Sequence, residues 1–121
     1  MNSVNWFEIP VTDIERATKF YSKVFNVELS PIDMPGMKMA MFPGEQDKPF
    51  ASGSLVQGEN LVPSMDGTTV YFFCDDLNNQ LKTIEELGGK LINPKTSIGE
   101  MGFIAHFIDC EGNKVALHSM K

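Results

Sequence analysis

The sequence predicts an α+β fold: two tandem βαβββ modules forming a cupped mixed sheet. Three observations predict it. The chain is written twice, since sliding the first half onto the second by 63 positions (76 − 13) lays Val11-Thr12-Asp13-Ile14 on Cys74-Asp75-Asp76-Leu77, Lys19 on Lys82, Val24 on Leu87 and Leu29 on Ile92. Each copy orders its hydrophobic periodicity in the same way, as a strand, a helix and three further strands. With 121 residues, 42% of them hydrophobic and nine of them Phe, the chain has enough apolar side chain for one domain core without staples. A half-domain that cannot bury its own sheet packs against its twin, so a pseudo-two-fold axis and a concave, ligand-sized surface along it are expected.

Taken in order, Val4 to Val11 reads as a strand, and Thr12-Asp13-Ile14-Glu15 matches a capping box that opens a helix. Ile14, Ala17, Phe20, Tyr21, Val24 and Phe25 recur at helical spacing and give that helix one apolar face. Strand-like runs follow at Val27 to Ile32, Met37 to Phe42 and Ala51 to Gln57, separated by turn chemistry at Pro35-Gly36 and Pro43-Gly44. This is module one, about residues 1–57, and the polar stretch 58–67 containing Pro63 reads as a linker. Module two, about 68–121, repeats the order. Thr68 to Cys74 is a strand, Asp75-Asp76 caps a helix bearing Leu77, Leu81, Ile84 and Leu87, and Gly88-Gly89 stops it. Strands are expected at Lys90 to Asn93, Gly102 to Asp109 and Lys114 to His118, the last two joined by a tight hairpin at Asp109-Cys110-Glu111-Gly112-Asn113.

The formal charge of −6, from 10 basic and 16 acidic residues, argues against nucleic acid or an anionic membrane as the partner. The two cysteines, Cys74 and Cys110, come with no signal-peptide pattern and no long apolar run, so a reducing cytoplasm is the expected location. Nothing beside either thiol activates it, and both are expected to be inert core or turn residues.

The double pattern resembles the vicinal oxygen chelate superfamily, which includes glyoxalase I, bleomycin-resistance proteins, methylmalonyl-CoA epimerase and extradiol dioxygenases. Its carriers are Phe7-Glu8-Ile9-Pro10-Val11-Thr12-Asp13, Arg16-Ala17 and Phe20-Tyr21 in the helix, and Asp109-Cys110-Glu111-Gly112-Asn113-Lys114 before the last strand. They span essentially the whole chain and are most like small, single-domain, glyoxalase-like members, with Cys110 standing where the family usually has Pro. The scaffold serves several chemistries, so the resemblance implies a fold more firmly than a reaction. It also implies a homodimer, the common state of relatives this size.

Metal-dependent relatives place His and Glu ligands on the first and last strand of each module. Carried over residue by residue, these positions fall on Trp6, Thr69, Ala116 and Gly53, and the repeat agrees, since 69 − 6 and 116 − 53 both equal 63. None suits a divalent ion, so no metal and no other cofactor is expected. The next residues on the same strand faces are Glu8, Leu55, Tyr71 and His118. The carboxylate, phenol and imidazole among them suit acid–base chemistry on a carbonyl or enol substrate. They suit still better a satisfied polar pair of Glu8 with His118 at the cup rim, and less well a relocated metal site with only two protein ligands. Trp6 offers either a stacking platform for a planar ligand or core filling in place of a lost metal. Met37, Met39 and Met41 share one strand face with Met34 just before them, and suit either a permissive apolar pocket or ordinary packing. His106 is a core, interface or ligand-facing residue according to its register. Glu100, between Gly99 and Gly102, sits in a loop able to close over the cup or simply in solvent. A small-molecule site lined by Trp6, Leu55, Thr69, Met39, Met41, Glu100 and His106 is thus expected, with Glu8, His118 and Tyr71 as its candidate catalytic groups. Its ligand is an apolar or carbonyl-bearing compound, bound or, alternatively, turned over by a lyase or isomerase reaction.

Overall fold

The computed structural model describes residues 4–44 and 51–121. Their element order is β1 (Trp6–Pro10), α1 (Ile14–Phe25), β2 (Ser30–Met34), β3 (Met37–Met41), β4 (Ser52–Gly58), β5 (Tyr71–Phe73), α2 (Leu77–Glu86), β6 (Lys90–Ser97), a 3-10 turn (Gly99–Met101), β7 (Phe103–Ile108) and β8 (Lys114–Ser119). Two compact units result, Met1–Pro63 and Ser64–Lys121. Each is a βαβββ module with one four-stranded mixed sheet, ordered β1-β4-β3-β2 in the first and β5-β8-β7-β6 in the second. The first strand of each unit runs parallel to the last, and the remaining pairings are antiparallel. Among the described residues no helix is long and apolar enough to cross a membrane.

In the first unit, α1 buries Ala17, Phe20, Tyr21 and Val24. The Tyr21 ring meets Phe42 edge-on at 5.6 Å between centroids, and Phe42 lies 5.7 Å from Phe7, so an aromatic chain ties the helix to β1. The capping residue is Asp13 and not Thr12. The Asp13 carboxylate accepts from the Arg16 amide at 3.1 Å, while the Thr12 hydroxyl lies 3.3 Å from Arg16 Nη2. A carboxylate complements the positive end of the helix better than a hydroxyl, and Gln57 Oε1 accepts the Ile14 amide at 2.7 Å, satisfying a second orphan donor.

In the second unit Asp76 caps α2 by accepting from the Asn78 amide at 3.0 Å. The helix ends as Gly88 turns into the left-handed region at φ +89° and Gly89 donates back to Ile84 O at 2.9 Å. Between β7 and β8, buried Asp109 accepts from the amides of Glu111 (2.8 Å) and Asn113 (2.9 Å) and from Asn113 Nδ2 (3.1 Å). That carboxylate fixes the hairpin and, through it, the β7–β8 register.

Several strand limits differ from the expected ones. β2 begins at Ser30, not Val27, and regular β5 is only Tyr71–Phe73, although its ladder to β8 continues through Ala116 N to Val70 O and Cys74 N to His118 O. β6 runs past Asn93 to Ser97; Pro94 does not end it, because register shifts between Leu91, Asn93 and Thr96 absorb the residue that cannot donate.

Candidate functional site

Alternation along each strand, combined with register, assigns side chains to the helix face or the helix-free face of each sheet. In the first unit Phe7 and Ile9 point to the helix, so Trp6 and Glu8 stand on the free face. β4 pairs Trp6 with Ser52 and Glu8 with Ser54, and β3 pairs Met41 with Ser54 and Met39 with Val56. The free face therefore carries a row of Glu8, Ser54, Met41 and Ser30, followed by a row of Pro10, Val56, Met39 and Ile32.

This register corrects two sequence expectations. Gly53 and Leu55 pair with Phe7 and Ile9 and face the helix, where Leu55 is fully buried. A Cβ at Gly53 would collide with the Phe7 carbonyl oxygen and ring, so the glycine serves close backbone packing. The repeat offset is 63 between Glu8 and Tyr71 but 62 between Ser54 and Ala116, because Glu8 pairs with Ser54 where Tyr71 pairs with Ala116. Ser54, absent from the expected site, thus takes the place given to Gly53, and Leu55 leaves the site.

Trp6 is 40% exposed and its Nε1 donates to Glu8 Oε2 at 3.4 Å, a long contact between two exposed groups. Ser54 is the opposite case: its side chain is fully buried, and Oγ has no hydrogen-bond partner among the described residues. A buried hydroxyl left this way costs about 1–3 kcal/mol.

The second unit is built differently. Tyr71, Ala116, His106 and Asn93 form one cross-strand row on its free face, and Phe73, His118 and Ile104 form the next. Tyr71 Oη lies 2.9 Å from His106 Nε2, and His106 Nδ1 lies 3.0 Å from Asn93 Nδ2. An amide nitrogen can only donate, so His106 Nδ1 accepts; in the neutral ring Nε2 then carries the proton and donates to the Tyr71 oxygen. The phenol proton is then not used in the bond to His106. The bond spans β8 because position 116, between the partners, is a buried alanine. Tyr71 is 49% exposed and meets the His106 ring edge-on at 5.6 Å.

His118 lies one row along from Tyr71, not in the same row. Its Nε2 is 2.6 Å from Met101 O, and a carbonyl can only accept, so Nε2 bears hydrogen and in the neutral ring Nδ1 is the acceptor. Phe73, 52% exposed, packs edge-on against it at 5.5 Å, a neighbour the sequence did not suggest. Glu8 and His118 belong to different compact units. Glu100 is exposed on the 3-10 turn that supplies the Met101 carbonyl, and Thr69 is half-buried just before β5. Cys74 is buried, and that burial, with the neighbouring Asp75 charge second, pushes its thiol up to about 11. Cys110 is half-buried in the β7–β8 turn, where Sγ lies 3.5 Å from Glu111 Oε2.

The family metal positions, after the register correction, are Trp6, Ser54, Thr69 and Ala116: an indole, two hydroxyls and a methyl. This donor set does not fit the divalent ion that the resemblance implies. Among the described residues no three His, Cys, Asp or Glu side chains are grouped to hold an ion.

Residues 4–44 match the family described as bleomycin resistance protein-like N-terminal. A glyoxylase-like domain-containing protein of Didymella fabae is 32% identical over 118 residues, covering 94% of this chain and 91% of its own. Among solved structures, glyoxalase I from Zea mays is similar with a TM-score of 0.73 at 23% identity, over 95% of this chain and 45% of that one. The chain thus spans just under half the length of the maize enzyme. A glyoxylase/bleomycin resistance protein/dioxygenase domain from Frankia sp. matches over 100% of this chain and 99% of its own, with a TM-score of 0.76 at 14% identity. On this sequence relationship and this fold, the chain belongs to the vicinal oxygen chelate superfamily, as a glyoxalase-like member.

Proposed function

We propose that the chain binds a small carbonyl-bearing molecule on the helix-free face of its second unit, without a metal. The observation that carries this reading is the directed chain from Asn93 through His106 to Tyr71, which leaves the phenol proton for a ligand oxygen. A hydroxyl whose oxygen already accepts a hydrogen bond is a polarised donor. Beside it, exposed Phe73 supplies apolar area for the body of the ligand. Titrating an aryl ketone such as acetophenone into isotope-labelled protein tests the proposal: the signals of Tyr71, Phe73, His106 and His118 should move together. A ketone that leaves all four in place at millimolar concentration overturns it.

One observation favours catalysis as a second reading. The Met101 carbonyl holds the His118 proton on Nε2, so Nδ1 offers a lone pair in the row beside Tyr71, a suitable pairing of base and proton donor for isomerase or lyase chemistry. In that account His118→Asn abolishes turnover while ligand affinity survives; unchanged turnover sinks it. We also propose a homodimer, because Trp6 and Ile32 are large apolar side chains left exposed on the first unit, away from the proposed ligand-binding residues. Sedimentation equilibrium returning the mass of one chain at micromolar concentration contradicts the dimer.

A further inference from the structure

The β2–β3 hairpin concentrates thioethers. Its two-residue turn, Pro35-Gly36, places proline at the first central position and a left-handed glycine (φ +76°) at the second, which sets Met34 directly opposite Met37. Directly opposed residues hold their Cβ atoms about 4.5–5.5 Å apart, and diagonal neighbours lie about 7–8 Å apart. Met39, two positions along β3 on the same face, is diagonal to Met34 and adjacent to Met37. Three methionines thus share one face as neighbours at the end of the sheet. The β4 partner of Met37 is Gly58, which contributes no side chain; that side of the row is lined by Leu61, whose Cδ1 would lie 3.2 Å from a Cβ added there, with Met37 Cγ at 3.8 Å. The remaining partners in these rows are Ile32, Val56 and Pro10, so among the described residues these rows hold no charged side chain.

An uncharged thioether set is a poor host for Zn²⁺, Mg²⁺ or Ca²⁺, which take nitrogen, thiolate or oxygen donors, and a good host for a soft monovalent ion. Methionine's three rotatable bonds allow the sulfurs to converge from positions that a stiffer side chain could not use. Met34 is 46% exposed and Met37 half-buried, which gives an ion a route to the site, whereas Met39 is buried at its base. We propose that Met34, Met37 and Met39 form a binding site for a soft monovalent metal ion, Cu(I) in the cell. The site is independent of the carbonyl site on the second unit.

Silver(I) serves as a redox-inert probe, followed through the methionine methyl signals of protein labelled with ¹³C at those carbons. The methyl signals of Met34, Met37 and Met39 should shift together and saturate at one ion per chain, while those of Met65, Met101 and Met120 stay in place. This residue-specific readout separates thioether binding from capture by Cys74 or Cys110. Leucine conserves volume in place of methionine, so Met34→Leu, at an exposed position, and Met37→Leu keep the fold and should each abolish the coupled shift. Methyl signals that remain fixed under saturating silver, or that shift equally in both variants, overturn the proposal. The same shifts produced by zinc also overturn it, since a soft-ion site would then have no selectivity.

Discussion

Row for row, the sheet of the first unit presents Glu8, Ser54, Met41 and Ser30 where the sheet of the second presents Tyr71, Ala116, His106 and Asn93. The first row contains a buried hydroxyl with no partner among the described residues; the second is joined by two hydrogen bonds of fixed direction. Position two of the row decides between them. A methyl at 116 lets the outer side chains meet across the strand, whereas Ser54 places a polar atom in the middle that the neighbouring carboxylate and thioether do not satisfy. The repeated backbone supplies equivalent positions, and one small side chain decides whether they become a connected device.

The comparison is broken most severely by losing the register of one sheet. Asp109→Ala removes the carboxylate that holds the β7–β8 turn and leaves the Glu111 and Asn113 amides without their partner, a cost on the order of 3 kcal/mol. Urea unfolding checks this, and an unchanged midpoint contradicts the role given to Asp109. Exchanging the middle residues has a smaller, signed effect. Ala116→Ser, which makes the second row like the first, should lose about 1–2 kcal/mol, while Ser54→Ala should gain up to about 1 kcal/mol by removing an unpaired buried hydroxyl. Loss of stability in Ser54→Ala would mean that Ser54 has a partner after all.

Cys74 stands 63 positions after Val11, and both are buried. Cys74→Val should therefore cost less than about 1.5 kcal/mol at neutral pH. Its pH dependence has a definite sign. The folded thiol titrates near 11 and an unfolded thiol near 8.5, so the native state holds its proton more tightly. Wild type should lose stability as pH rises through that interval, because the unfolded thiol ionises first, and Cys74→Val should lack this component. Identical slopes for the two proteins between those pH values refute the assignment. The smallest expected effect belongs to Asn93→Ser, which copies Ser30 into the second unit. Stability should change by under about 1 kcal/mol, while the imidazole nitrogen signals of His106 shift from a single Nε2–H tautomer towards a mixture. A single tautomer persisting in the variant would show that Asn93 does not set it.

The modular order was legible because Asp13 and Asp76, the two helices and the Gly and Pro turns leave strong local signals at one offset. Register was less so. The segment before β4 is longer than its counterpart before β8, and an offset measured on the helices cannot reveal that β4 has slipped by one residue, which exchanges Gly53 and Leu55 for Ser54 and Val56. A slip of one residue in a strand turns every side chain to the other face. The capping box named Thr12 because the pattern fits, but the carboxylate one position on competes better for the helix amides. Asn93 escaped notice because its meeting with His106 depends on the β6 irregularities around Pro94, which leave no periodic trace. Tyr71 and His118 were reached by stepping two residues along the strands from the positions that the resemblance marks, and the direction of their hydrogen bonds needed the Asn93 amide and the Met101 carbonyl.

In the proposed site Tyr71 offers its proton to a ligand carbonyl, and a cycle of four affinities isolates that bond: acetophenone and ethylbenzene, each against wild type and Tyr71→Phe. The ketone should bind wild type more tightly than the hydrocarbon by about 1 kcal/mol, roughly fivefold, and the preference should vanish in Tyr71→Phe, where only the phenol is lost. A preference of the same size in both proteins would contradict the account, because the carbonyl would then be read by some other group.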